Sequence, residues 1–91
     1  MSERILLVED DPLIADTISF NIRGEAPDAD IIHVRTLREA RMVVERGNAF
    51  DFVYLDLWNT NGSGFRGLRE FKRLFPGQPV LIAFRHLTLT A

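Results

Sequence analysis

The stretch RILLVEDDPLI spans residues 4–14 and decides how the rest of the chain must fold. Its ILLV portion is a continuous apolar run, which is typical of a β-strand covered on both faces of a sheet. The run ends directly in three acids, Glu9, Asp10 and Asp11. Asp11 before Pro12 predicts a helix N-cap followed by proline at the first helical position. A cap needs only one carboxylate, so the remaining acids at the end of a buried strand require another explanation.

Strand-like and helix-like patterns alternate along the rest of the chain. Apolar runs predict three further strands, ADIIHV at 29–34, FDFVYLDL at 50–57 and PVLIAF at 79–84. Apolar residues at helical spacing predict helices over 12–24, 36–47 and 65–75. The second helix has the clearest boundaries, because Thr36 and Glu39 form a capping box and Gly47 stops it. The order βαβαβαβ predicts an α/β fold, a doubly wound parallel sheet with helical crossovers.

Composition narrows the classes of function. The 91 residues suit one domain, residues 1–91, with 46% hydrophobic and 26% charged residues and a net charge of −2. The charge disfavours a broad nucleic-acid surface, and the lack of cysteine excludes disulfides and thiolate metal sites. The start lacks the apolar core of a signal peptide, and no apolar run is long enough to span a bilayer. We therefore expect a cytoplasmic protein that binds neither membrane nor nucleic acid.

Acids follow two of the predicted strands. Asp10 and Asp11 come after the first strand and Asp56 ends the third. If these strands are neighbours in a parallel sheet, all three carboxylates converge at its carboxyl edge, where such folds form their sites. Each acid alone is explained as a cap or a solvated strand end. Together they predict a divalent cation, Mg²⁺, with Asp56 placed to attack phosphorus as a nucleophile.

Three segments together resemble a known family. ILLVEDDPLI, DFVYLDLWNTNGSGF and FPGQPVLIAF look like the corresponding segments of a response-regulator receiver domain, and the resemblance runs from about Ile5 to Ala83. It implies a flavodoxin-like fold with strand order 2-1-3-4-5. It also implies that a sensor histidine kinase, a phosphotransfer protein or a small phosphodonor phosphorylates Asp56. The domain would then be no classical enzyme, although it catalyses its own phosphorylation and dephosphorylation.

The resemblance also implies a ligand set. Asp10 and Asp11 would hold Mg²⁺ together with Asp56, and the backbone carbonyl of Trp58 would supply a further ligand. No organic cofactor is implied.

The sequence departs from the family toward its carboxyl end. The Ser or Thr expected after the fourth strand falls on Phe84, and Thr88 takes that place only if the register shifts. The family's lysine follows a fifth strand, whereas this chain has no predicted fifth strand and its only lysine, Lys72, lies on the third helix. The tail RHLTLTA, residues 85–91, is compatible with a strand, an irregular tail or a disordered end.

A receiver domain that lacks its last helix–strand–helix leaves the fourth strand as an exposed edge. We therefore expect a second copy in a homo-oligomer, or a partner chain, to cover it. The competing hypothesis is a truncated receiver that acts as a phosphorylation-independent interaction or self-association module. An Asp-x-Asp phosphatase is disfavoured because Trp58 stands where the second acid would be. A flavin-binding protein is disfavoured because the first loop is acidic and would repel a phosphate.

Overall fold

The structure is a computed structural model that describes residues 2–56, 63–84 and 87–90. Within them the elements are β1 (Arg4–Val8), α1 (Pro12–Glu25), β2 (Asp30–Val34), α2 (Leu37–Glu45), β3 (Phe52–Asp56), α3 (Ser63–Leu74), β4 (Val80–Phe84) and β5 (Leu87–Thr90). The predicted alternation of strands and helices is therefore confirmed through β4. No helix among these residues is long and apolar enough to cross a membrane.

The described strands form one sheet in the order β2-β1-β3-β4-β5. β1 pairs in parallel with β2 and with β3, and β3 pairs in parallel with β4. This is the order that the resemblance implies for the first four strands. Because β1 and β3 are neighbours with the same direction, their carboxyl ends lie side by side at one edge of the sheet.

The fifth strand corrects two expectations. β5 pairs antiparallel with β4, and Phe84 is the register partner of Leu87. The expectations that the chain forms no fifth strand and that β4 is an exposed edge are therefore wrong. The alternating Leu and Thr of LTLT suit a strand, and a connection of two residues allows only an antiparallel return. β5 consequently does not replace the parallel fifth strand of the family.

Local interactions at the helix starts follow the sequence closely. The Asp11 carboxylate accepts a hydrogen bond from the backbone N–H of Leu13 at 2.9 Å and caps α1. The Thr36 hydroxyl accepts one from the N–H of Glu39 at 3.1 Å and caps α2. Gly47, just after α2, has a φ of 88°, which is a conformation that glycine adopts without strain. Both predicted N-caps are confirmed.

Helices cover the two faces of the sheet unequally. On one face α2 and α3 pack against a core that includes Leu6 and Val8 of β1 and Val53 of β3. α1 lies on the other face, over Ile5 of β1. This division follows from right-handed crossovers, because α1 leads from β1 to β2 and the other two crossovers lead in the opposite direction across the sheet.

Candidate functional site

The candidate site begins where β1 and β3 end together. Val8 of β1 is the register partner of Leu55 of β3, so the next residues, Glu9 and Asp56, lie at the same edge. Pairing continues one residue beyond β1, because the backbone N–H of Glu9 donates to the carbonyl of Val34 at 3.0 Å. Glu9 is therefore held in the sheet and is only 4% exposed, whereas Asp56 is half-buried.

The carboxyl groups of Glu9 and Asp56 are in direct contact. Burial raises the pKa of Glu9 to about 7, helped by its side-chain hydrogen bond with Asp56 and by repulsion from the charges of Asp56 and Asp10. The N–H of Asp11 donates to Oε1 of Glu9 at 3.2 Å, which acts in the opposite direction. Two carboxyl groups in contact retain a proton more readily, and the burial of Glu9 adds to this by raising its pKa.

The predicted acids occupy different positions around this pair. Asp10 is exposed and close enough to Glu9 to repel its charge. Asp11 is half-buried, and one of its oxygens caps α1. Trp58, predicted to contribute its carbonyl, lies outside the described residues.

Sequence reasoning missed Glu9 as a member of the site. Glu9 was named among the three acids, but the site was assigned to Asp10, Asp11 and Asp56 with the carbonyl of Trp58. The available signal was the apolar run itself: Glu9 is the next residue after ILLV, so it is the acid that the sheet buries first.

The backbone of the acidic segment is held by residues of β2 and the loop after it. Nε2 of His33 lies 2.6 Å from the carbonyl oxygen of Glu9, and because a carbonyl only accepts, the imidazole donates. Arg35 donates through Nη2 to the carbonyl of Asp10 at 3.3 Å. His33 was predicted to be an ordinary strand residue, and its side chain instead positions the acidic segment.

Phe84 and Thr88 lie near Asp56 in the sheet, because Ala83 is the register partner of Asp56, directly precedes Phe84 and pairs with Thr88, whereas Lys72 lies away from this edge. Phe84 ends β4, and Thr88 sits on β5 as the register partner of Ala83. Lys72 donates to the carbonyl of Gln78 at 3.3 Å, near the end of α3 that is remote from the carboxyl ends of the strands. The structure thus gives Lys72 a role in joining α3 to the segment before β4.

The donor chemistry of the site fits Mg²⁺. Among the described residues, no three side chains of Asp, Glu, His or Cys converge closely enough to hold a metal by themselves. Mg²⁺ does not require three, because it is commonly bound by one or two carboxylates and keeps several waters. Asp10 and Asp56 supply oxygen at the edge of the sheet, and both also repel the charge of Glu9, which contributes to its raised pKa.

Two solved structures are similar to this chain over almost its whole length. No protein-family model matches the chain. A signal receiver domain of a LuxO repressor protein from Vibrio parahaemolyticus is similar at 31% identity with a TM-score of 0.72, over 96% of this chain and 65% of that one. A MaeR response regulator mutant bound to sulfate is similar at 20% identity with a TM-score of 0.77, over 96% of this chain and 70% of that one.

The chain therefore spans about 65% of the length of the LuxO receiver structure that it matches. Both of these structures are named for receiver or response-regulator proteins, and their similarity concerns the fold of this chain. The order β2-β1-β3-β4 with its parallel pairs is the one that the sequence resemblance implies. The chain has the flavodoxin-like fold of response-regulator receiver domains.

Proposed function

We propose that the chain is the phosphoacceptor receiver unit of a two-component system and that Asp56 accepts the phosphoryl group. The observation that carries this proposal is the position of Asp56 at the carboxyl end of β3, in contact with the buried Glu9 that follows β1. The donor would be a sensor histidine kinase, a phosphotransfer protein or a small acyl phosphate. The protein would act in the cytoplasm, where such donors are found, and residues 1–91 would form one receiver unit.

The proposed chemistry is a displacement at phosphorus. An oxygen of the Asp56 carboxylate attacks the phosphorus atom and forms a P–O bond while the bond from phosphorus to the donor breaks. That bond is P–N in a phosphohistidine and P–O in an acetyl phosphate, and its electron pair leaves with the imidazole or the acetate. The product on the chain is a mixed anhydride, an acyl phosphate on Asp56.

Asp10 and Asp56 are the proposed side-chain ligands of Mg²⁺, with the carbonyl of Trp58 as a further ligand. Asp11 caps α1 with Oδ1, so its second oxygen, Oδ2, is the one that would join the ligand set. When bound, Mg²⁺ would offset the negative charge on the phosphoryl oxygens. His33 and Arg35 would hold the segment that carries these acids in place, since both donate to its backbone.

Phosphorylation can be tested with acetyl phosphate and Mg²⁺, followed by intact-mass spectrometry and phosphate-affinity electrophoresis. The wild type should gain one phosphoryl group that is labile to hydroxylamine, as an acyl phosphate is. Asp56→Asn should gain none. Asp28→Asn is the matched control, because Asp28 is an exposed aspartate in the loop between α1 and β2 and should leave labelling unchanged. Labelling that survives in Asp56→Asn, or that does not need Mg²⁺, would contradict the proposal.

A second candidate function is an interaction module that works without phosphorylation. It is favoured by the position of Lys72, whose ammonium bonds to Gln78 far from Asp56, and by Phe84 in place of the expected hydroxyl. In a signalling receiver, a lysine and a hydroxyl near the phosphoacceptor would contact the phosphoryl group and transmit its presence. The two functions differ in one measurement: phosphorylated and unphosphorylated chains should associate differently if the site signals, and identically if it does not.

A further inference from the structure

Basic side chains are distributed unevenly between the two edges of the sheet. In a parallel α/β sheet each crossover helix begins at the carboxyl edge and runs back to the amino edge. The basic residues in the last turns of α1 and α3 therefore lie toward the amino edge: Arg23, Lys72 and Arg73. Arg35 comes directly after β2, so it lies at the opposite, carboxyl edge, which is the edge of the candidate site.

Arg35 contacts the acidic segment at this edge. Its Nη2 donates to the backbone carbonyl of Asp10 at 3.3 Å. The preceding residue, Val34, accepts from the backbone N–H of Glu9 at 3.0 Å, so the pairing of β2 with β1 holds Arg35 level with the acids. The side chain of Glu9 in turn contacts Asp56. The neighbouring strands β2, β1 and β3 thus bring a cation, the acidic segment and the proposed phosphoacceptor to one edge.

The guanidinium of Arg35 has donor capacity beyond this one bond. A guanidinium carries five N–H donors in a planar fork and stays positively charged. A backbone carbonyl accepts one of these donors and does not neutralise the charge. None of the ion pairs between described residues includes Arg35. Arg35 is also exposed, so an anion in solution can reach it.

A phosphoryl group that approaches this edge requires positive charge. Residues 9–11 and Asp56 carry four carboxyl groups, and a phosphoryl group adds further negative charge. Repulsion by Asp10 and Asp56 already contributes to the raised pKa of Glu9. Mg²⁺ would offset part of this charge. Arginine suits the remainder, because its parallel N–H groups match the oxygens of a phosphoryl group.

We propose that Arg35 is the anion-binding residue of this site and that its guanidinium donates to the phosphoryl oxygens of the incoming donor. The inference rests on the proposed function, because it names the residue that receives the donor of the same reaction. Arg35 forms no covalent bond and transfers no proton, and the transfer remains the displacement by Asp56 described above. The bond to the Asp10 carbonyl holds the guanidinium at the edge, so less side-chain freedom is lost when the donor binds.

Kinetics with acetyl phosphate and calorimetric titration with Mg²⁺ test the proposal together. Arg35→Gln removes the charge but keeps an amide that can donate to a carbonyl. It should raise the KM for acetyl phosphate by roughly threefold to tenfold, with a smaller change in the maximal rate, because donor binding loses a charge-assisted hydrogen bond. It should tighten Mg²⁺ binding by roughly twofold to fivefold, because a positive charge near the ion is removed. Arg35→Lys keeps the charge and should recover most of the loss in KM.

Arg46→Gln is the matched control, because it removes the same charge from an exposed arginine at the carboxyl end of α2 and should change neither value. A purely structural Arg35 would weaken donor and Mg²⁺ binding together, and a merely solvated one would affect neither, so either result overturns the proposal. Donor binding is also measured by calorimetry in the Asp56→Asn chain with Mg²⁺, where no transfer occurs. A wild type that takes no phosphoryl group contradicts the proposed function, whereas equal donor binding with and without Arg35→Gln in the Asp56→Asn chain overturns this inference.

Discussion

The buried carboxyl of Glu9 makes the stability of this fold depend on pH in a predictable direction. Its pKa is raised from an ordinary value of 4.5 to about 7. The folded state therefore holds the Glu9 proton more tightly than the unfolded state does. The stabilisation from this group is complete below about pH 4.5 and is lost as the pH rises through 7. Above pH 7 the folded chain contains an ionised glutamate beside Asp56.

The size of this effect follows from the two pKa values. Each pH unit between the folded and unfolded pKa corresponds to about 1.4 kcal/mol, so ionised Glu9 lowers the free energy of unfolding by roughly 3 kcal/mol at pH 8. That is a large part of the roughly 5–15 kcal/mol that stabilises an ordinary domain. Glu9→Gln should restore most of it, because the amide oxygen still accepts from the N–H of Asp11 and the amide N–H₂ donates to Asp56.

Urea unfolding, followed by circular dichroism between pH 5 and 8 without divalent cations, checks this prediction. The wild type should lose stability across that interval relative to Glu9→Gln, and the variant should be the more stable chain at pH 8. Asp10→Asn is the matched control, because Asp10 is exposed and contributes only repulsion at a distance. If Glu9→Gln is less stable than the wild type at pH 8, or if the difference between them does not change with pH, the contact described here is wrong.

Three further predictions concern the cap, the core and the acidic segment. Asp11→Ala should lower the free energy of unfolding by about 1 kcal/mol in urea titrations, because α1 loses its N-cap. Leu6→Ala should lower it by about 2–5 kcal/mol, whereas Leu13→Ala, at an exposed position, should change it by less than about 0.5 kcal/mol. His33→Ala should weaken Mg²⁺ binding by roughly twofold to tenfold, measured by the fluorescence of Trp58, because the carbonyl of Glu9 loses its imidazole donor. Equal stability of Leu6→Ala and Leu13→Ala would contradict the burial of Leu6. An unchanged Mg²⁺ affinity of His33→Ala would contradict the role of the His33 imidazole.

Much of the fold could be predicted because its determinants are local. Asp11 before Pro12, and Thr36 before Glu39, fix the starts of α1 and α2 through hydrogen bonds between residues two or three apart. Apolar runs identify β1 through β4, and helical crossovers of this length fit parallel strands. The conformation of the tail that contains β5 could not be predicted, because LTLT is short and half polar and forms a strand only by pairing with β4.

The site was predicted less completely, since burial is a tertiary property. Three consecutive acids have the same local chemistry, and only the point at which β1 stops pairing determines which one the sheet buries. The hydrogen bond from the N–H of Glu9 to the carbonyl of Val34 extends the pairing of β1 with β2 by one residue. Glu9 is therefore the acid that is held in the sheet, where its side chain contacts Asp56. The role of His33 has the same origin, because its contact with Glu9 joins residues 24 positions apart.

The hairpin of β4 and β5 has a consequence for how the chain folds. The parallel pairs join distant segments, as when Val53 meets Val80, whereas Phe84 meets Leu87, which is only three residues away in sequence. Hairpins form within about 1–10 µs, and pairings between distant segments are slower. The VLIAF segment of β4 is uncharged and apolar, which is the composition that aggregates when its edge is open. β5 therefore covers one edge of this segment early in folding, so that β3 is left as the partner for the other edge and intermolecular pairing is kinetically disfavoured.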